Sequence, residues 1–284
     1  MDQRIIDLYD DFTHGGINRR QFLDRLAEIA GSTAAALALV PLLQNDYARA
    51  AMVAPDDTRL AVDTVSYDAD GTTIGGYLVR LKEKGKRPAV IAVHENRGLN
   101  PHIRDVARRL ALDGFLAYAV DMLSPLGGTP TDEDKGREMI RTLDVAETAR
   151  RIAAAVPFLT KHPESTGKVG IIGFCWGGGM VNRVAVLAPD LDAAVAYYGV
   201  QVPAAQVKSI QAPLLLHYAG LDKRVNAGID AYKAALDANG KKYTVYIYEG
   251  VNHAFNNDTG NRYNKAAADL AWDRTVAFLK KNLS

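Results

Sequence analysis

The pattern of apolar and polar positions changes character near residue 60. Beyond it, short apolar runs take turns with amphipathic stretches. Residues 61–67 and 72–81 read as two strands joined at Asp70-Gly71, a strong hairpin-turn dipeptide. The run 88–94, PAVIAVH, is almost continuously apolar, as a parallel strand covered on both faces must be. Helical spacing over 103–113 stops at Gly114. Residues 115–121 give a further buried strand, 124–131 a loop rich in Gly and Pro, and 134–159 a long helix. The second half repeats the alternation, with strands over 168–173, 193–198, 213–218 and 243–248 and helices over 176–187, 226–239 and 262–282. Such alternation predicts an α/β fold with a mostly parallel sheet and helices on both faces. Ligands on such sheets bind beyond the carboxyl ends of the strands.

The first fifty-five residues form a separate unit, an arm or signal segment ahead of a catalytic domain over 56–284. Asn18-Arg19-Arg20-Gln21-Phe22-Leu23 has the paired arginines of a twin-arginine export signal. An apolar stretch, 34–43, follows, and Ala48-Arg49-Ala50 offers the small-x-small spacing of a cleavage site. That reading, with a periplasmic location, is favoured. The alternative is a folded helical arm on a cytoplasmic protein. Ile5, Ile6, Leu8, Tyr9 and Phe12 then share a helical face, Gly15-Gly16 breaks it, and Asn18 caps a helix carrying Phe22, Leu23, Leu26 and Ile29. The apolar stretch is half the roughly twenty residues a membrane span needs, so no span is expected.

The richest chemistry lies in Gly173-Phe174-Cys175-Trp176-Gly177, between a buried strand and a helix. Gly-x-nucleophile-x-Gly is the pattern of a hydrolase nucleophile elbow. Its glycines let strand and helix approach closely around a strained residue. The turn also sets the thiol at a helix N-terminus, where the helix dipole favours the thiolate. A phosphate cradle is the rival, but the spacing fits neither a dinucleotide fingerprint nor a P-loop. In such folds an acid and then a histidine follow the nucleophile. Asp222 follows the strand over 213–218, and His253 follows the last strand; Asp121 is the reserve acid. The other five histidines are not expected at the site. His14 lies in the arm, His102 and His162 near helix ends, and His217 within an apolar strand. His94-Glu95 fails as a His-Glu-x-x-His zinc motif because position 98 is glycine.

Charge narrows the partners. The 34 basic and 33 acidic residues nearly cancel, leaving no basic field for a nucleic acid. Cys175 is the only cysteine, which excludes an internal disulfide and a thiolate metal cluster and leaves a redox sensor without a resolving thiol. Acyl transfer to water through these residues needs no cofactor.

The sequence resembles the dienelactone hydrolase (carboxymethylenebutenolidase) family, a branch with an N-terminal extension, from about residue 60 to 283. The likeness rests on Gly-Phe-Cys-Trp-Gly-Gly, His-Glu-Asn-Arg-Gly-Leu-Asn, the Asp222 loop and Asn-His-Ala-Phe. It implies an α/β-hydrolase fold and a small ester or lactone substrate. A Cys175–His253–Asp222 triad, with His253 the base that keeps Cys175 as thiolate and Asp222 orienting it, would then act through a thioester, with Glu95 touching the resting thiol and helping to deprotonate it. The backbone N–H groups of Trp176 and Asn96 would form the oxyanion hole, as elbow geometry also requires. Without the resemblance, a salt bridge to Arg97 is the expectation for Glu95. Of two arginines that grip the substrate carboxylate in the family, Arg137 matches the first, and Asn257 stands where the second belongs. An asparagine offers only a neutral hydrogen bond there. The contrasting class is a non-catalytic protein of the same fold that binds a small ligand or partner.

Overall fold

The computed structural model describes residues 1–47 and 52–284. Three helices come first: α1 (Gln3–Thr13), α2 (Arg19–Ala30) and α3 (Thr33–Leu43). The body begins with β1 (Leu60–Ala69), β2 (Thr72–Leu81), β3 (Arg87–Val93), α4 (Pro101–Leu112) and β4 (Leu116–Asp121). Helices α5 (Glu133–Thr142), α6 (Val145–Ala153) and α7 (Ala155–Thr160) lead to β5 (Ser165–Phe174), α8 (Trp176–Leu187) and β6 (Ala193–Tyr197). The chain closes with β7 (Leu214–Ala219), α9 (Lys223–Asn226), α10 (Ile229–Ala238), β8 (Tyr243–Tyr248) and α11 (Lys265–Asn282).

The eight strands make one sheet in the order β1-β2-β4-β3-β5-β6-β7-β8. From β4 to β8 every pairing is parallel, while β2 runs antiparallel to both β1 and β4. Asp70 and Gly71 both take positive φ, 52° and 80°, which a tight two-residue hairpin turn demands. Side chains alternate across the sheet: Ile91, Val93, Tyr118 and Val120 join one core, and Val90, Ala92, Ala117 and Ala119 the other. Both faces of the central strands β3 to β7 are buried because helices cover both. The expected mostly parallel sheet is present.

The single helix expected over 134–159 is three helices. Leu143 turns extended after α5, and Asp144 caps α6 by accepting from the Glu147 N–H. Pro157 has no N–H for the Ala153 carbonyl, which separates α7 from α6. Similarly, the helix expected over 226–239 starts only at Ile229, after the short α9.

In the arm, Ile5, Leu8, Tyr9, Phe22 and Leu26 bury one another in a small apolar cluster. Asn18 and Gln21 form a reciprocal capping box at the start of α2. Helices α2 and α3 meet at 111°, and no single described helix is long and apolar enough to cross a membrane. Ala48-Arg49-Ala50 lies outside the described residues. Beyond it, Val53 is pinned to α4: its N–H donates to Asp105 (2.9 Å) and its carbonyl accepts from Arg108 (2.8 Å).

Candidate active site

Cys175 sits between β5 and α8 with φ 55° and ψ −115°, a backbone state costly for any residue with a Cβ. Two glycines make that turn possible. A Cβ on Gly173 would lie 2.3 Å from the Gly177 carbonyl oxygen, and one on Gly177 would lie 2.4 Å from that of His94. Strand and helix therefore touch backbone to backbone. The Cys175 N–H donates to the Tyr197 carbonyl on β6 (3.0 Å), and its carbonyl accepts the Gly179 N–H as the first turn of α8 closes. The thiol is thus fixed at the N-terminus of a twelve-residue helix, above the carboxyl ends of β3, β5 and β6.

His253 and Asp222 reach the same place from loops after β8 and β7. Their Nδ1–Oδ2 distance is 2.5 Å, and both side chains are buried. A carboxylate only accepts, so the His253 Nδ1 carries the proton in this pair and the neutral ring offers its Nε2 as base. That Nε2 is buried and has no hydrogen-bond partner. Burial pushes the Asp222 carboxyl upwards, but the hydrogen bonds from His253 and the Val225 N–H, with the charge of Arg224, hold it below the usual carboxylate range.

The hydrogen bond at the sulfur comes from an unexpected residue. His14, at the end of α1, places its Nε2 3.1 Å from Cys175 Sγ. Its Nδ1 lies 2.8 Å from the Asp10 backbone carbonyl and 3.3 Å from the Asp10 carboxylate. The His14 and His253 rings meet edge to face, centroids 4.8 Å apart. Sulfur and the two imidazoles bring their donor atoms within 4.8 Å of one another. Reading the sequence set His14 aside because it lies in the arm. The usable signal was the Asp10-x-x-x-His14 spacing, which puts an acid and an imidazole on one helical face beside the Gly15-Gly16 break.

Two of the expected neighbours have other partners in this structure. Glu95 makes no hydrogen bond to the thiol: its Oε2 accepts from the Asn257 amide at 2.8 Å, and its Oε1 is buried without a partner. Nor does it pair with Arg97, whose guanidinium bonds Glu133 (3.0 Å) and Tyr9 (3.4 Å). Asn257 is likewise committed inside the protein, since its carbonyl accepts from the Thr259 N–H and hydroxyl. Arg137 is ion-paired with Asp134 and stacked over the Phe12 ring, 4.9 Å from its centroid. It lies beneath the arm rather than free for a substrate.

Trp176 supplies the first N–H of α8, beside the sulfur, and Asn96 lies on the loop after β3. The Asn96 amide donates to the Thr13 carbonyl of α1 (2.9 Å), so the arm closes over this edge as well. Asp121 is engaged in its own loop, accepting from Leu123 and Thr129. His217 is a packed core residue bonded to Tyr248 and Thr275, and burial with the nearby Arg274 takes its pKa down to about 3. A cavity of about 210 Å³ opens between α1 and the 221–224 loop, walled by Asp7, Asp10, Arg224, His253 and Arg262.

An elbow of this geometry at the carboxyl edge of the sheet, with a carboxylate-held histidine after the last strand, defines an α/β-hydrolase. A model of the dienelactone hydrolase family matches residues 74–283, and one described as YqhI-like matches residues 1–32. A Saccharolobus solfataricus protein named "Putative carboxymethylenebutenolidase" is 29% identical over 253 residues, covering 76% of this chain and 97% of its own. An Escherichia coli K12 protein of the same name is 31% identical over 243 residues, 80% of this chain and 89% of its own. A solved structure described as a dienelactone hydrolase-like promiscuous phosphotriesterase, P91, from metagenomic libraries superposes with a TM-score of 0.72 at 27% identity, covering 80% and 100% of the two chains. The chain belongs to the dienelactone hydrolase family, and it is a carboxylic ester hydrolase.

Proposed function

We propose that this protein hydrolyses a small ester or lactone by acyl transfer to Cys175, through a thioester that water releases. The observation carrying this reading is the meeting of the elbow thiol with the short His253–Asp222 pair. Thiolate attack forms the S–C bond and moves the carbonyl electrons onto oxygen, where the Trp176 and Asn96 backbone N–H groups hold them. Collapse breaks the C–O bond, and the departing alkoxide takes up the proton that the thiol gave up on ionising. Asp222 keeps His253 in the tautomer whose Nε2 takes a proton from water, and the resulting hydroxide releases the acid.

The names of the relatives point to enol lactones, but the carboxylate grip differs here. Arg137 is paired with Asp134 under Phe12, and Asn257 faces Glu95, so neutral esters and lactones fit the site better than anionic ones. The test is turnover of a chromogenic ester by wild type and Cys175→Ala, with mass spectrometry of the rapidly quenched enzyme. An acyl adduct on Cys175 and loss of turnover in the variant are expected. Undiminished hydrolysis by Cys175→Ala would sink the proposal.

A further inference from the structure

We propose that the arm carries a working part of the active site: His14, held by Asp10, accepts the Cys175 proton in the resting enzyme and returns it to the leaving alkoxide. This rests on Cys175 being the nucleophile. His253 and Asp222 are then left to activate water.

The geometry of two imidazoles around one sulfur supports this division. Each ring has its Nδ1 on an oxygen acceptor, the Asp10 carbonyl for His14 and the Asp222 carboxylate for His253. Each therefore directs Nε2 away from that acceptor. A thiol has one proton, so only one of the two bases can take it. His14 lies at 3.1 Å from the sulfur, whereas the buried Nε2 of His253 has no partner. The unpartnered base is also the one that lines the cavity of about 210 Å³, which has room for several waters. His14 Nε2 is engaged with the sulfur, and His253 borders the cavity. Burial works against a charge on His14, but the Cys175 sulfur and Asp10 outweigh it and raise its pKa. Asp10 is held ionised by His14 and Arg262, against its own burial.

The protons balance. Resting enzyme holds thiolate, His14 imidazolium and neutral His253. Attack forms the S–C bond, the C–O bond to the alcohol breaks, and the His14 proton goes to the departing alkoxide. Water then loses a proton to His253 as its oxygen bonds to the thioester carbon. Thiolate leaves, the new carboxylic acid gives its proton to His14, and His253 releases its own to solvent.

The contact between arm and body is continuous with this role. The Thr13 carbonyl accepts from Asn96 and the Phe12 carbonyl from Arg141 (3.2 Å), so the residues just before His14 are held on the body. Arg262 bonds Asp10 directly at 2.7 Å.

The experiment measures the rate of iodoacetamide alkylation of Cys175 against pH in the full-length protein. Wild type, His14→Asn, His14→Gln and His253→Asn are compared, with ester turnover and trapped thioester recorded alongside. Alkylation reads the thiol without requiring turnover, so a failed nucleophile assignment, seen in Cys175→Ala, is distinguishable from a failed role for His14. Both His14 variants should alkylate roughly tenfold or more slowly at neutral pH, with the profile displaced upwards, because each pH unit of lost thiolate stabilisation is tenfold. His14→Gln retains a polar contact to sulfur but cannot take its proton, so it should behave like His14→Asn. His253→Asn should alkylate nearly as wild type does and accumulate thioester. Wild-type alkylation in His14→Gln would reduce the contact to packing and overturn the proposal. Faster alkylation and faster hydrolysis in either His14 variant would overturn it too, by making the arm a plug.

Discussion

The body and the arm each bring an imidazole to the same sulfur, but they hold it in place by different physics. His253 stands on a loop rooted in the sheet, 2.5 Å from a buried carboxylate, beside an elbow whose glycines are locked between backbones. His14 ends a helix whose apolar face is turned towards α2 and α3 rather than the body. What ties it down is mostly charge and amide chemistry: Asp10 with Arg262 and Arg224, Arg19 with Asp134, Gln3 with Asn252. Packing is indifferent to salt and to mild pH change; charges exchanged across a partly wet interface are not. One half of the site is built like a core, the other like a reversible complex.

Removing the carboxylate of each pair breaks the comparison most directly. Asp222→Asn leaves the shape of the site but allows the wrong His253 tautomer, an effect of about 10⁴-fold in kcat where a triad acts this way. Asp10→Asn should cost less, because the Asp10 backbone carbonyl still fixes the His14 tautomer. Its loss should fall on acylation and on thiol alkylation. Pre-steady-state turnover of a chromogenic ester separates the two steps. Equal losses in both variants would erase the asymmetry drawn here.

Salt and pH test the arm without mutation. The raised pKa of His14 means its contribution is complete below its ordinary value of about 6.5 and is lost as pH climbs through the raised one. The Asp10 carboxyl, held low, contributes above about 3.8 and loses its effect only as pH falls through the lowered value. Docking is therefore firmest between roughly pH 4 and 6.5 and loosens on the alkaline side. Hydrogen exchange, corrected for intrinsic rates, should show protection of α1 falling roughly tenfold from pH 6 to pH 9, about 1.4 kcal/mol. A similar drop is expected between low salt and 1 M salt. Amides of β5 and α8 should hold their protection. If α1 and α8 respond alike, the arm is part of the core and the contrast fails.

The difference between the two halves also explains what the sequence disclosed. Sheet, elbow and the order Cys175, Asp222, His253 were legible because buried strands leave continuous apolar runs and close backbone contact leaves glycines. Helix breaks at Leu143 and Ala154 were less legible, since Asp144 and Pro157 sit inside an otherwise unbroken amphipathic pattern. The partners of Glu95 escaped entirely: Asn257 and Glu95 are 162 residues apart, and no local period records such a pair. His14 was passed over because docking by scattered charges leaves no run or repeat to read. Residues 18–29 carry features of an export signal and of a capped helix at once, and the structure has a helix there with Arg19 bonded to Asp134.

The smallest expected effect concerns Arg137, and it tests how completely the arm has taken over the body's own polar groups. If Arg137 gripped a substrate carboxylate, its loss would cost a charge-assisted contact, about 1–3 kcal/mol, and would fall on anionic substrates alone. In this structure its guanidinium lies between Asp134 and the Phe12 ring and is almost fully buried, with burial and the nearby Arg97 making its charge harder to hold. Arg137→Gln should therefore change kcat/KM by less than about threefold, equally for an anionic lactone and a neutral ester, because a contact never made cannot be lost. The Asp134 carboxylate keeps Arg19 as a partner at 2.5 Å, so the substitution does not strand it. The measurement is the ratio of the two kcat/KM values in wild type and variant. A selective fall of tenfold or more for the anionic lactone would mean that Arg137 emerges from under Phe12 during turnover, and that the arm lifts further than its contacts imply.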